Sequence, residues 1–155
     1  MKQIIFTKQG FEDLRKEKEK LQKERPLAVL DLKKAREMGD LSENGYYKSA
    51  KAKLGSIDHR LRQLQYLIKS AKIEEGLTAN KNVVGIGSTV TLQTDKEEVT
   101  YTIVGEYEAN PSLGKISHKS PLGSIVLGKK KDEEFLFRES SYTVINLSVI
   151  AATSS

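Results

Sequence analysis

The chain has no cysteine and no tryptophan among its 155 residues, and it has only two histidines and three prolines. Without cysteine there is no disulfide and no thiolate metal site, which fits a reducing compartment. The histidines, His59 and His118, lie far apart in the sequence and share no metal-binding spacing. A structural zinc site is therefore not expected.

Long apolar runs are also missing. The opening ten residues contain only three consecutive apolar residues, Ile4 to Phe6, which is too few for a signal peptide. No apolar run approaches the roughly 20 residues that span a bilayer. We therefore expect a cytoplasmic protein with no membrane contact.

Sequence patterns of a self-contained active site are absent as well. There is no glycine-rich phosphate loop, no HExxH motif and no supported Ser/His/Asp grouping. The run Val83 to Gly87 is too short and badly placed to bind a dinucleotide. We expect the protein not to be an enzyme on its own.

Positive charge is concentrated in the first half of the chain. The net charge is +5. Residues 1–76 carry 18 Lys and Arg against 12 Asp and Glu, whereas the remainder carries 8 against 9. This asymmetry indicates either a polyanionic partner for the first half or an ordinary solvated helical surface.

The first half has the period of a helical coiled coil. Before the central break, apolar residues recur more loosely, at seven-residue intervals, and Lys18 and Arg25 interrupt the repeat. Thr7 is a reasonable N-cap for the first helix, and Pro26 predicts a kink or a local break within it. The second stretch alternates spacings of four and three as far as Ile73, as a coiled-coil seam requires. Its apolar seam positions are Ala50, Leu54, Ile57, Leu61, Leu64, Ile68 and Ala71.

A short break, Met38 to Gly45, separates the two helical stretches. Such a break makes the helices antiparallel neighbours. Each arm, of about 28–32 residues at roughly 1.5 Å per residue, would reach about 40–48 Å. A rod of this length is more than a small core needs, so we expect it to reach into or bridge something larger.

The second half changes to strand periodicity. Residues 77–87 are predicted to be a linker, followed by a hairpin of Ser88–Thr94 and Glu98–Gly105. A second hairpin pairs Glu134–Phe137 with Tyr142–Ile150. Between them, Ser120 as N-cap and Pro121 at the first helical position predict a short helix.

The predicted fold class is α+β with two domains. Residues 1–76 would form an antiparallel coiled-coil hairpin with an acidic tip at 39–45. Residues 77–155 would form a small α+β domain with a twisted antiparallel sheet and one short helix.

Two carboxylates, Asp40 and Glu43, lie at the expected tip. Their spacing resembles a capping box, in which both side chains satisfy free backbone amides. Alternatively, two carboxylates at the end of a basic rod suit Mg²⁺, although two ligands cannot hold this ion tightly. Another macromolecule would then supply the remaining ligands.

Basic residues on both helices approach the same tip. The second helix carries seven Lys and Arg against the single acid Asp58, which favours contact with RNA or DNA phosphate over a solvated face. Tyr46 and Tyr47 either stack on a base or pack against the turn. The candidate RNA-binding residues are Lys33, Lys34, Arg36, Lys48, Lys51, Lys53 and Tyr47.

The segment Ala35 to Lys51 resembles the tip of the bacterial Gre transcript-cleavage factors, GreA and GreB. It contains their A-R-x-x-G-D-x-x-E-N-x-x-Y-x-x-A pattern. Further similarity covers nearly the whole chain: T-x-x-G-F-x-x-L (Thr7 to Leu14), Arg25-Pro26, YTIVG with a following acid (Tyr101 to Glu106), Ser120-Pro121 and Leu127-Gly128. The resemblance implies that the second domain is FKBP-like.

The resemblance also implies a function. The second domain would dock on the rim of the RNA polymerase secondary channel through Lys119, Ser120 and Pro121. The hairpin would enter the channel, meet the RNA 3′ segment of a backtracked complex, and bring Asp40 and Glu43 to the active site. There the two carboxylates would help to hold a Mg²⁺ ion that is shared with the polymerase and bound only transiently by the factor. A monomer is expected.

Some positions depart from this pattern, and two other functions remain to be compared. Lys119 stands where GreB-like sequences carry an acid, and the turn before the last strand lacks the usual Pro and Gly. A Gre-like inhibitor would occupy the same channel without promoting cleavage, but such paralogues have a more Asp-rich tip. A prolyl isomerase would need an aromatic-lined pocket, for which the chain has few aromatic residues. The residues do not separate GreA from GreB.

Overall fold

The computed structural model describes residues 2–38, 44–74 and 82–149. Their contacts divide the chain into two compact units, one formed by residues 1–11 and 71–155 and the other by residues 12–70. The sequence had placed its boundary between residues 76 and 77. The division in the structure differs because the two ends of the helical region join a small sheet. None of the described helices is long and apolar enough to cross a membrane.

Two long helices form the helical hairpin. Helix α1 spans Lys8–Arg36 and helix α2 spans Gly45–Ser70. Thr7 caps α1 as predicted, since its Oγ1 accepts a hydrogen bond of 3.0 Å from the amide of Gly10. The helix continues through Pro26, so the predicted local break is not found. Pro26 is exposed, as is Gln22, whose carbonyl loses its helical partner and can bind water instead.

The seam of α2 follows the predicted period with one change. Ala50, Ile57 and Leu64 are buried at seven-residue intervals, as expected. Near the end of the helix, Leu67 is buried while the predicted seam residue Ile68 is only half-buried. This change shows that the burial pattern moves by one residue in the last two turns of α2.

Strands β1 (Ile4–Phe6) and β2 (Ala71–Ile73) pair in parallel. The sequence had continued the second helix to Ile73, which is wrong, and had not predicted β1. The helix ends at Ser70 because the next three residues take their backbone hydrogen bonds from β1.

Strand β1 is tied to the chain near residue 105 by one carboxylate. Glu108 accepts hydrogen bonds from the amide of Thr7 at 2.8 Å, from the Thr7 hydroxyl, and from the amide of Gly105 at 3.1 Å. Gly105 also lies against Ile5, because a Cβ placed on it would be 2.0 Å from the Ile5 carbonyl oxygen. These contacts are the reason why the first residues group with the C-terminal unit.

A five-stranded sheet dominates the C-terminal unit. It comprises β3 (Ser88–Gln93), β4 (Glu98–Val104), β5 (Lys115–Ser117), β6 (Glu134–Phe137) and β7 (Ser140–Val149), in the order β5-β4-β3-β7-β6. Both predicted hairpins are confirmed. The sheet is not purely antiparallel, since β5 was not predicted and pairs with β4 in parallel.

The core of this unit lies on one face of the sheet, where Val90, Leu92, Ile103 and Val144 are fully buried. The opposite face is polar, and the hydroxyls of its Thr residues pair across β3 and β4. The predicted linker is partly wrong, since Val84 and Ile86 are buried. Within that segment, Val84 also exchanges backbone hydrogen bonds with the residues that follow α3 (Pro121–Val126). The overall α+β prediction, a helical hairpin and a sheet domain, is confirmed.

Candidate functional site: the end of the helical hairpin

The candidate site lies where α1 ends and α2 begins. Asp40 and Glu43, and most of the predicted tip at 39–45, lie outside the described residues. The structure does describe the residues on both sides of the tip. The base of the site can therefore be built from α1 up to Met38 and from α2 onward from Asn44.

Asn44 joins the two helices at this base. Its Oδ1 accepts a hydrogen bond of 3.2 Å from the amide of Tyr47, three residues later, which is the geometry of an N-cap. Its Nδ2 donates a hydrogen bond of 3.3 Å to the carbonyl of Ala35, in the last turn of α1. One side chain therefore satisfies a free donor of α2 and adds a second hydrogen bond to a carbonyl of α1 that also accepts from the amide of Met38 at 3.2 Å.

This geometry removes one interpretation of the tip carboxylates. A capping box at the start of α2 would need its acid at the third helical position, which is Tyr47. Since α2 begins at Gly45 and Asn44 is its cap, Asp40 and Glu43 are not the capping pair of this helix. Their role as ligands stays a prediction.

Small side chains bring the helices close together beside Asn44. Ala35, which is fully buried, packs with Leu32 and Ala50, and Leu54 lies at the edge of this cluster. Tyr47 packs against the same cluster and is half-buried. Tyr47 thus packs against residues of both helices, and its contact with RNA stays a prediction.

The cations predicted to contact RNA surround this base. All six are exposed, and among the described residues none forms an ion pair with a carboxylate. Lys33, Lys34 and Arg36 occupy the last turn of α1, and Lys48, Lys51 and Lys53 the first turns of α2. Unpaired cations on two neighbouring helix ends suit a phosphate backbone.

Farther from the tip, two arginine–carboxylate pairs connect the helices. Arg25 donates to both carboxylate oxygens of Asp58, at 2.5 and 3.2 Å. Arg60 donates to both oxygens of Glu17, at 2.6 and 2.8 Å. The planar guanidinium fixes the geometry of each pair, so both pairs are specific to one register of the helices. From the sequence, Arg25 was an interruption of the seam and part of the Arg25-Pro26 pair, and neither ion pair was predicted.

The predicted docking residues are found in a well-held loop of the C-terminal unit. Ser120 caps α3, accepting a hydrogen bond of 3.0 Å from the amide of Gly123, and Pro121 is its first residue. The Ser120 hydroxyl donates to the Ser117 carbonyl at 2.7 Å. Lys119 is exposed and forms an ion pair of 3.5 Å with Glu106.

We expect low pH to destabilise the pairing of the two helices. Hydrogen bonds from Arg60 hold the pKa of Glu17 below its ordinary value, and hydrogen bonds from Arg25 do the same for the pKa of Asp58. A lowered folded-state pKa gives stability that is complete above the ordinary value of about 4 and is lost as the pH falls through the lowered one. The free energy of unfolding of the hairpin should therefore fall as the pH drops below about 4. It should fall less in a Glu17→Gln/Asp58→Asn variant than in the wild type.

Urea unfolding followed by circular dichroism at pH 7 and pH 3 measures this difference. Glu12→Gln/Glu19→Gln is the matched control, since those acids form only longer pairs within α1. Equal acid sensitivity in the Glu17/Asp58 variant and in the wild type would contradict the prediction.

Replacing Asn44 should loosen the base of the tip. Asn44→Ala removes both hydrogen bonds and should cost about 1 kcal/mol of unfolding free energy. Asn44→Asp keeps the oxygen that caps α2 but loses the donor to Ala35, so its loss should be smaller. Thermal and urea unfolding of the three proteins measure the effect, and an unchanged Asn44→Ala protein would show that Asn44 does not hold the helices together.

In the described parts of the chain, no three His, Asp or Glu side chains lie together as a metal site would require. Asp40 and Glu43 lie outside these parts.

Two family models match the chain. The model described as "Transcription elongation factor, N-terminal" matches residues 4–73. The model described as "Transcription elongation factor, GreA/GreB, C-term" matches residues 79–153. Together they cover almost the whole sequence, including the segment that holds Asp40 and Glu43.

Individual proteins show the same similarity. Transcription elongation factor GreA of Thermomicrobium roseum is 43% identical over 132 residues, which is 84% of this chain and 85% of the relative. GreA of Staphylococcus carnosus is 43% identical over 136 residues, which is 86% of this chain and 84% of that relative. Among solved structures, GreA factor homolog 1 (Gfh1) of Thermus thermophilus is 25% identical, with a TM-score of 0.45 over 94% of this chain and 99% of that one.

Proposed function

Because the chain belongs to the GreA/GreB family of transcription elongation factors, we propose that it stimulates bacterial RNA polymerase to cleave backtracked RNA. The observation that carries the proposal is the geometry of the hairpin end. Two long helices, joined at Asn44, lead to the segment with Asp40 and Glu43. It is flanked by exposed cations that form no ion pair with any described carboxylate. The cleavage would rescue arrested elongation complexes.

The hairpin has the dimensions and the fixed register of a delivery arm. Its helices, of 29 and 26 residues, are about 43 and 39 Å long at roughly 1.5 Å per residue. The Arg25–Asp58 and Glu17–Arg60 pairs hold them in register. An arm of this kind can enter the secondary channel and place two carboxylates at a defined point, which is what positioning in catalysis requires.

Docking would come from the C-terminal unit. The loop with Lys119, Ser120 and Pro121 is held by the hydrogen bonds of Ser120 to both Ser117 and Gly123. Such a preformed loop costs little ordering entropy on binding. It would contact the rim of the channel, with one copy of the factor acting as a monomer on each polymerase.

The donor chemistry of the tip fits Mg²⁺. Asp40 and Glu43 offer hard carboxylate oxygens, but two ligands are too few to hold the ion tightly, so the polymerase would complete the site. When bound there, the ion supplies charge stabilisation for phosphodiester hydrolysis. The two carboxylates would orient the attacking water, and the six cations would hold the extruded RNA by its phosphates. The chain thus lends groups to the active site of another protein instead of containing its own.

The test is a cleavage assay on a backtracked elongation complex with labelled RNA. We expect the protein to raise the rate of 3′ cleavage on the order of 100-fold, equivalent to about 2.7 kcal/mol of barrier. A binding competition against a known secondary-channel ligand runs in parallel. If the protein occupies the channel without accelerating cleavage, it is an inhibitor, and if it does neither, the proposed function is wrong.

A further inference from the structure

Strand β6 is an open edge of the five-stranded sheet. Among the described residues it pairs with β7 alone, through the two-residue turn Arg138–Glu139, where both residues have positive φ (49° and 67°). In such a hairpin the residues next to the turn are hydrogen-bonded to each other, and the pairs alternate from there. The N–H and C=O groups of Glu134 and Leu136 therefore point away from β7, toward the open edge.

The side chains of this edge are divided between two faces. Phe135 and Phe137 are buried in the core, whereas Leu136 is 73% exposed on the polar outer face. It is the most exposed large apolar side chain in the described part of the protein. A short edge strand with free backbone groups and an exposed leucine is a template for another strand.

Unpaired acids surround Leu136. A shallow depression on the outer face is lined by Leu136, by hydroxyl and amide side chains of β3 and β7, and by three acids, Asp95, Glu134 and Glu139. No Lys or Arg lines it. Within residues 82–149, none of the three acids forms an ion pair. The depression is therefore locally negative, in a half of the chain that carries 8 Lys and Arg against 9 Asp and Glu.

We propose that the β6 edge binds an extended, basic segment of a partner protein, which adds a sixth strand to the sheet. Its backbone would pair with Glu134 and Leu136. An apolar residue would lie beside Leu136, and a Lys or Arg two positions away would reach Glu134. A second cation on the other side would reach Glu139 at the turn, where Arg138 is turned to the ring of Phe137, 4.9 Å from its centroid. The inference does not depend on the proposed cleavage activity, since it uses neither the tip nor the basic helices.

Charge decides between the possible occupants. A second copy pairing through its own β6 would bring the same carboxylates against these, and like charges opposite each other are unfavourable. Nucleic acid would be repelled by the three acids for the same reason. Helices α1 and α2 of a second copy use the backbone groups of their interior turns within the helix and offer no extended strand to a sheet edge. A basic, extended peptide satisfies both the edge and the charge.

The test uses the full chain, labelled with ¹⁵N, and a synthetic heptapeptide with the alternating sequence TKTLTKT, capped at both ends. We expect amide shifts confined to β6 and the lining residues, and slower hydrogen exchange at Glu134 and Leu136. A small interface of this kind binds weakly, with a Kd on the order of 100 µM. Raising the salt from about 0.05 to about 0.5 M should weaken binding about fivefold or more, because exposed ion pairs are screened.

Three controls separate strand addition from simple charge attraction. Glu134→Gln/Glu139→Gln should weaken binding about fivefold or more, while Glu12→Gln/Glu19→Gln on α1 should not. The peptide with Glu in place of Lys should not bind. The peptide with N-methyl groups on its pairing amides should lose the shifts, because it cannot form the ladder.

Two results would overturn the proposal. One is the absence of shifts at 1 mM peptide, roughly ten times the expected Kd, which would leave the acids as protection of the edge against aggregation. The other is equal binding of the N-methylated or the acidic peptide. Either would show that β6 does not accept a strand.

Discussion

An Asp40→Asn/Glu43→Gln protein should lose the stimulation of RNA cleavage by about 100-fold while still binding the polymerase. Both replacements keep the size and shape of the side chain and remove the negative oxygen donors. A contribution made only at the reacting centre lowers the rate and leaves the affinity nearly unchanged. Single-turnover cleavage at saturating factor measures the rate, and competition for the secondary channel measures the binding.

Glu37→Gln is the matched control for this result. Glu37 is exposed, directly follows α1 and lies close in sequence to the tip, so its replacement removes one negative charge there, against two in the double variant. Its cleavage rate should stay within about twofold of the wild type, because the field of one exposed charge is screened over about 8–10 Å. A similar loss in both proteins would assign the effect to general charge and not to donated ligands.

A methyl group at Gly105 should strongly destabilise the fold. The backbone of Gly105 (φ −68°, ψ 160°) is open to any residue, so the requirement for glycine is steric. A Cβ there would lie 2.0 Å from the carbonyl oxygen of Ile5 and 2.9 Å from Oε2 of Glu108. Because a backbone group of β1 cannot move without breaking its pairing with β2, Gly105→Ala should cost about 3 kcal/mol of unfolding free energy.

Gly55→Ala is the opposite case and the natural control. Gly55 lies in the middle of α2, and a Cβ on it would meet nothing within 4 Å. Alanine should therefore stabilise the helix by about 0.5–1 kcal/mol. Denaturation followed by circular dichroism and by the amide signals of β3 reports both changes, and a Gly105→Ala protein as stable as the wild type would contradict the packing of β1 against residue 105.

The periodic parts of the fold were predictable from sequence because each is a local pattern. The four–three spacing of Ala50, Ile57 and Leu64 predicted the second helix, and alternating β-branched residues predicted β3 and β4. The hairpin of β6 and β7 was found from its alternation alone. Its turn, Arg138–Glu139, has positive φ without the glycine or asparagine that usually marks it.

The missed elements depend on contacts between distant residues. Ala71 continued the helical seam, and only its pairing with Ile4 makes it a strand. Thr7 and Gly105 belong to patterns quoted from the sequence, but the carboxylate that links them, Glu108, has no signal of its own. Pairings of this range are set by tertiary structure and not by propensity.

The candidate site was predicted unevenly for a similar reason. Charge counting indicated the exposed cations of α1 and α2, whereas the ligand role of Asp40 and Glu43 came from the resemblance. Asn44 was part of the quoted pattern, but its double role required the coordinates of both helix ends. Its position at the base of the tip explains why an amide, which both donates and accepts, is suited there.

The most direct measurement of the central claim is the dependence of the RNA cleavage rate on Mg²⁺ concentration, with and without the protein. If Asp40 and Glu43 lend ligands to an ion shared with the polymerase, the factor should lower the Mg²⁺ concentration at half-maximal rate by about tenfold or more. With the Asp40→Asn/Glu43→Gln protein, the Mg²⁺ concentration at half-maximal rate should equal the value measured without any factor. An unchanged half-maximal concentration with only a higher plateau would contradict the claim that the hairpin donates metal ligands.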